Sequence, residues 1–251
     1  MDVTVAEKFF LLSLNDAGMD LLGAGSDVAY AAALLADLTM AGYLRLDEEN
    51  RTLSPGPTFP AENPLARAAF DPIAAADPAP SLDTAVRLLA GELAPVREAV
   101  ANRLVEEGVV GTEKGHVAGV FRIVRHPVRA PATAQAARDE VRLALAPGTP
   151  LAPSPDAAVL LAILRPFGSL DRFAPKDRRP EAAERAAALI DAAVLPRALG
   201  EVVQAVRSEL VAMLAAVGGG GGGGPRRPPR RLVRWGWTRH PGRRAYLWTS
   251  P

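Results

Sequence analysis

Seven consecutive glycines, Gly218 to Gly224, followed by Pro225-Arg226-Arg227-Pro228-Pro229-Arg230-Arg231, bound what this chain can fold. A stretch of that composition loses too much backbone entropy and offers too little apolar surface to pack by itself. Any core must therefore come from the residues before it. The expected organisation is one domain over 1–217, then a Gly linker and an Arg/Trp-rich disordered tail over 218–251. The charge changes at the same place. The chain has 29 basic and 28 acidic side chains, yet its body is net acidic by seven, because eight arginines and no acid lie beyond residue 215. Trp235, Trp237 and Trp248, the three tryptophans of the chain, stand among those arginines, a mixture suited to anionic membrane interfaces or nucleic acid.

Within the body, apolar residues recur at helical spacing. Val3, Ala6, Phe10 and Leu14 form one stripe and Tyr30, Leu34, Leu38 and Ala41 another. Gly42 stops the second helix, and Tyr43–Leu46, the acidic turn Asp47-Glu48-Glu49-Asn50 and Arg51–Leu53 read as a hairpin. The pattern recurs with a helix over Val96–Glu107, a stop at Gly108, an extended Val109–Glu113, a turn at Lys114-Gly115 and a return strand over Val117–Val124. Residues 54–80, with seven prolines, read as a surface loop holding at most a short helix at Leu65–Phe70. Ser81 is placed to cap the helix beginning at Leu82. Beyond Pro131 only helices are expected, near 132–145, 156–166, 181–194 and 197–216. The predicted fold class is mainly α: a compact single-domain helical bundle with one or two short β-hairpins.

The absence of cysteine removes disulfides, thiolate metal sites and a Cys nucleophile together. The longest apolar run, Ala157–Leu164, is far shorter than a membrane span, and Met1–Lys8 lacks the basic and apolar regions of a signal peptide, so a cytoplasmic location is expected. No GxSxG, HExxH, phosphate-binding loop or EF-hand series occurs. Gly23-Ala24-Gly25 begins a dinucleotide-binding look-alike that ends in Val28 without a preceding strand, and reads better as a turn. His116 and His126 have no carboxylate placed to orient either ring. The acidic turn at Asp47 lacks a calcium ligand set. The expectation is no catalytic residue, no metal and no cofactor. One cluster does suggest binding: Arg122, Arg125, His126 and Arg129 gather on and after a strand of an otherwise acidic body, where they could accept phosphates.

The run Val96-Arg97-Glu98 through Arg103-Leu104-Val105-Glu106-Glu107-Gly108-Val109-Val110-Gly111-Thr112-Glu113-Lys114, followed by Phe121 and His126-Pro127, resembles the Golgi phosphoprotein 3 family. Val3-Thr4-Val5-Ala6-Glu7 with Leu11-Leu12-Ser13-Leu14, Leu34-Leu35-Ala36-Asp37-Leu38 with Gly42, Leu88-Leu89-Ala90-Gly91-Glu92 and Leu160-Leu161-Ala162-Ile163-Leu164 follow in the family's order. The resemblance extends from about Val3 to Val217 and is to the bacterial rather than the eukaryotic form. It implies a non-catalytic, mainly helical domain with a projecting hairpin, attached peripherally to membranes through the head group of phosphatidylinositol 4-phosphate. Of the family's characteristic Trp and three Arg in the lipid pocket, it implies that one survives here, as Arg97. Leu22 or Ala24 stands in place of the indole, and Ala31 and Ala94 in place of the other arginines.

The expected lipid-binding residues are therefore Arg97, with Arg122, Arg125 and Arg129 as the nearby cations. Val117, Val120 and Phe121 form the membrane-facing hairpin, each large side chain worth about 1.5–3 kcal/mol on insertion. One charge-assisted hydrogen bond contributes roughly 1.5–3 kcal/mol, below the roughly 4 kcal/mol that millimolar affinity needs, so Arg97 alone cannot hold a membrane. The arm could supply the remainder, at about 1 kcal/mol per arginine near an anionic surface. The expected partner is anionic membrane lipid, by phosphoinositide or other acidic head group. A client protein, and oligomerisation through the hairpin, are further partners this reading admits. The alternatives are a soluble adaptor and a winged-helix-like nucleic-acid binder. The second is suggested by the helix–hairpin units and opposed by the acidic body.

Overall fold

The computed structural model describes residues 3–22, 26–47, 49–117, 121–150 and 153–192 and a few positions between 200 and 212; for His116, Val117, Phe121, Arg122 and Ala192 it describes the backbone alone. The expected linker and arm over 218–251 and most of the helix expected over 197–216 lie outside the described residues. Eight α-helices, two short 3-10 helices and two separate two-stranded antiparallel hairpins are described, in agreement with the mainly α fold class.

The centre is built from α1 (Val5–Ser13), α2 (Ser26–Met40) and α7 (Pro155–Leu164). Every residue of α7 from Ala157 to Leu164 is buried, because α1, α2, α6 (Pro131–Leu145) and α8 (Arg179–Ala192) all pack on it. A helix apolar on all sides belongs in the middle of a bundle. In α2 the alanines Ala29, Ala31, Ala32, Ala33 and Ala36 are all fully buried, giving short side chains where neighbours come close. Around this centre stand α3 (Pro64–Ala74), α4 (Leu82–Glu92) and α5 (Val96–Glu106).

The start of α1 shows how side chains fix one helix against another. The Thr4 hydroxyl accepts from the Glu7 amide at 3.4 Å while the Glu7 carboxylate takes the Thr4 amide at 2.9 Å, a reciprocal capping box. Asp37 of α2 accepts the next two free amides, Val5 at 2.8 Å and Ala6 at 3.0 Å. Burial pushes the Asp37 carboxyl up, to about 7, against the opposing pull of those amides. Lys8 then joins α1 to Glu140 of α6 at 2.8 Å and Asp156 of α7 at 2.6 Å. These two partners outweigh the desolvation of its ammonium and raise its pKa.

Both helix–glycine–hairpin units form. After α2, Gly42 has φ +71° and the Tyr43 amide reaches back to the Leu38 carbonyl at 2.9 Å; after α5, Gly108 has φ +72° and the Val109 amide reaches Leu104 at 2.9 Å. Each is a left-handed helix terminus that turns the chain into a strand. The strand β1 (Leu44–Asp47) pairs with β2 (Thr52–Pro55), and β3 (Glu113–Val117) pairs with β4 (Phe121–Arg125). Asp47 closes the first turn by accepting from the amides of Glu49 and Asn50.

Two expectations are corrected. The turn expected at Lys114-Gly115 is strand: Lys114 pairs with Val124, Gly115 with Ile123 and Val117 with Phe121, so the chain reverses beyond Val117. A Cβ on Gly115 would meet the Ile123 side chain at 3.6 Å, ordinary cross-strand contact. The proline-rich loop holds the full helix α3, started by Asn63 capping the Ala66 amide at 3.0 Å with Pro64 in the first turn. Its stripe of Leu65, Ala69, Phe70 and Ile73 is buried, and that burial holds the helix although Pro72, in its last turn, cannot donate to the carbonyl four residues back.

Candidate functional site

Arg97 stands at the second position of α5 and meets the loop after α1 and the first turn of α2. Its Nε lies 2.7 Å from Asp20 Oδ2, with both side chains largely covered, and its Nη1 is 3.7 Å from Glu98. The backbone amide of Arg97 donates to Asp27 Oδ1 at 3.0 Å. The guanidinium also lies 5.6 Å from the Phe10 ring centroid, a favourable cation–π distance. The family-matched arginine is thus the centre of an internal ion pair.

Beside it, His126 is buried. Its Nδ1 is 3.2 Å from the Gly111 carbonyl, which can only accept, so Nδ1 carries the proton. Nε2 has no hydrogen-bond partner. Burial, and after it the nearby Arg97 charge, pull the imidazole below its ordinary pKa and keep it neutral. The ring packs edge-on against Phe10, with centroids 5.4 Å apart. The His126 amide donates to the Gly18 carbonyl at 2.7 Å; Gly18 has φ +71°, and a Cβ there would lie 2.6 Å from the His126 carbonyl carbon. Only glycine fits that crossing. On the other side of Phe10, Ser13 donates to the Phe10 carbonyl at 2.8 Å, so the hydroxyl pair Ser13 and Tyr30, 3.1 Å apart, is ordered with Tyr30 donating. Burial pushes the Tyr30 phenol above its ordinary pKa. Apart from His126 Nε2, these polar groups close on one another or on backbone, and among the described residues no nucleophile, base and orienting group come together as an acid–base relay. Among the described residues, no group of three or more His, Asp or Glu side chains is placed to hold a metal ion.

The remaining expected residues divide. Arg125, half-buried at the end of β4, and Arg129, exposed, have no carboxylate within ion-pair distance among the described residues. The Arg129 guanidinium lies over Gly111, so close that a Cβ on the glycine would meet Nε at 2.8 Å. Arg122 is placed in β4 opposite His116, and Val117 opposite Phe121, by backbone alone; Val120 lies outside the described residues. Of the positions where the resemblance puts pocket residues, Ala31 is fully buried in α2, Leu22 is half-buried against the core, Ala94 is exposed and Ala24 lies outside the described residues. Sequence reasoning missed Asp20 and Asp27, the acids that engage Arg97. They lie far from it along the chain, in a segment without periodicity, so no local pattern announced them.

With this geometry in view, comparison with known families is decisive for membership. The model of the Golgi phosphoprotein 3 (GPP34) family matches residues 5–206, about four-fifths of the chain. The chain belongs to the Golgi phosphoprotein 3 family. The match begins at the first residue of α1 and includes all eight helices and both hairpins of the GPP34 fold seen here. The GPP34 family is Golgi-associated, is not known as an enzyme family, and suggests lipid or protein interactions in general. No curated protein matches the chain. Among the described residues no helix is long and apolar enough to cross a membrane.

Proposed function

We propose that this chain is a non-enzymatic, peripheral membrane protein of the bacterial type that binds anionic lipid head groups. Its membership of the GPP34 family carries the reading. The cations offered to lipid are Arg122, Arg125 and Arg129 on and beyond β4, next to a hairpin whose Val117, Val120 and Phe121 would enter the interface. Arg97 plays a conditional part. It can meet a phosphate only by exchanging Asp20 for it, which favours phosphomonoester head groups carrying more than one charge over singly charged ones. A nucleic-acid reading has less support, since both arginines of α5 face carboxylates: Arg97 with Asp20, and Arg103 with Glu107.

Flotation with vesicles of neutral lipid, of phosphatidylserine and of phosphatidylinositol 4-phosphate tests the reading. The protein is expected to float only with the anionic vesicles, and R125E/R129E to lose at least half of that binding. Asp20→Asn, which frees Arg97, should strengthen binding to the phosphoinositide more than to phosphatidylserine. Equal flotation on neutral vesicles, or no effect of the charge reversals, refutes it.

A further inference from the structure

A second cation-rich site is lined by none of the expected lipid-binding residues. Between the C-terminal end of α6, the short 3-10 turn Ser169–Arg172 and the first turns of α8 is a cleft of about 780 Å³, within the roughly 300–1,000 Å³ of small-molecule pockets. Leu145, Phe173 and Ala182, themselves nearly covered, give it an apolar floor. Four arginines line it, Arg142, Arg172, Arg178 and Arg185, against one carboxylate, Glu181. That excess of positive charge sits on a body that is net acidic.

Two of the four are held in place by neutral groups. Arg172 donates from Nη1 to the Leu12 carbonyl at 2.9 Å and from Nη2 to Leu14 at 2.8 Å, and Arg185 donates from Nε to Ala144 at 2.8 Å and from Nη2 to Thr149. Carbonyls orient a guanidinium without neutralising it, and each of these arginines retains three of its five N–H donors. Arg178 has no ion-pair partner among the described residues, and Arg142 has only Asp139, at 3.4 Å with both side chains about half exposed. Asp16 and Asp20 act on Arg172 only through space, with Arg138 opposing them, whereas Arg97 meets Asp20 at 2.7 Å. Next to the cleft a hollow of about 300 Å³ shares Arg142, Arg172 and Phe173 and adds Arg138 and Asp16.

We propose that this cleft binds a single-chain anionic amphiphile, a phosphate or carboxylate head among the four arginines and an apolar chain over Leu145, Phe173 and Ala182. Head and floor act together. A bare anion leaves the apolar floor uncovered, and a neutral chain leaves the arginines without a partner. Neither Arg97 nor any residue of the β3–β4 hairpin lines the cleft, and the inference does not rest on the lipid reading of those residues.

Isothermal titration of the full chain with dodecyl phosphate below its micelle concentration tests this, alongside dodecanol, inorganic phosphate, and phosphatidylcholine vesicles containing phosphatidic acid. One dodecyl phosphate per chain is expected to bind, with dodecanol and inorganic phosphate each at least tenfold weaker. R142S/R178S, which removes two exposed side chains that make no bond to the core, should weaken binding tenfold or more, and Glu181→Gln should strengthen it a fewfold. Equal binding of dodecanol overturns the proposal. So does a titration unchanged in R142S/R178S, which places the binding on arginines elsewhere, the eight of the C-terminal arm included. Binding to the vesicles without binding to the monomer overturns the single-chain occupant.

Discussion

At 2.7 Å from Asp20, the Arg97 guanidinium serves first to join the α1–α2 loop to α5, and whatever anion reaches it must displace a carboxylate already in place. A resemblance in sequence can therefore point to a residue and still leave its ionic state unread, because that state is set by a distant acid. The same holds for Asp37. In the sequence it is one acid in a helical stripe; in the fold its carboxyl faces the first amides of α1 and is pushed up to about 7. The folded chain thus holds that proton more tightly than the unfolded chain does. Asp37 favours folding fully below its unfolded pKa, near 4, and this contribution is lost as pH rises through about 7. Glu7, also raised by burial, acts in the same direction. Urea titrations from pH 4 to 8 should show stability declining across that window, by at most about 4 kcal/mol for a three-unit shift. Asp37→Asn should remove most of the slope, and a slope unchanged by the substitution would contradict the assignment.

Among the elements, those with both a period and a stop signal were legible. The two helix–glycine–hairpin units follow from apolar spacing ended by Gly42 and Gly108, and both glycines adopt the left-handed conformation. Legibility failed where a residue's usual habit was overridden by its setting. Pro64 and Pro72 look like loop residues, yet Pro64 occupies a first turn, where a helix needs no amide, and Pro72 is carried in the last turn by the burial of Leu65, Ala69, Phe70 and Ile73. Lys114-Gly115 has turn chemistry, yet pairing with Ile123 and Val124 holds it extended. A matched pair of substitutions separates the conformational from the spatial role of glycine. Both Gly108 and Gly91 have open space around an added Cβ, but only Gly108 has positive φ. By thermal or chemical denaturation, Gly108→Ala should destabilise by about 1–2 kcal/mol. Gly91→Ala, inside α4, should stabilise by about 0.5–1 kcal/mol.

For the whole molecule, the class of fold and the family were available from the sequence, whereas the arginine cleft was not. Its arginines come from α6, two 3-10 turns and α8, and each looks in isolation like a solvated cation. What the elements share is α7, on which α1, α2, α6 and α8 all pack. Leu160, fully buried at its middle, should be among the most sensitive positions: Leu160→Ala is expected to cost about 2–5 kcal/mol, read as a shift of the urea midpoint with an unchanged slope. The position of α7 along the chain has a further consequence. It is the central helix but the seventh to be made, so during synthesis α1 and α2 leave the ribosome with the apolar faces that α7 will cover still open to water. A nascent chain stalled before Pro155 is therefore a natural client for chaperones, and the domain completes its core only after most of its length has been translated.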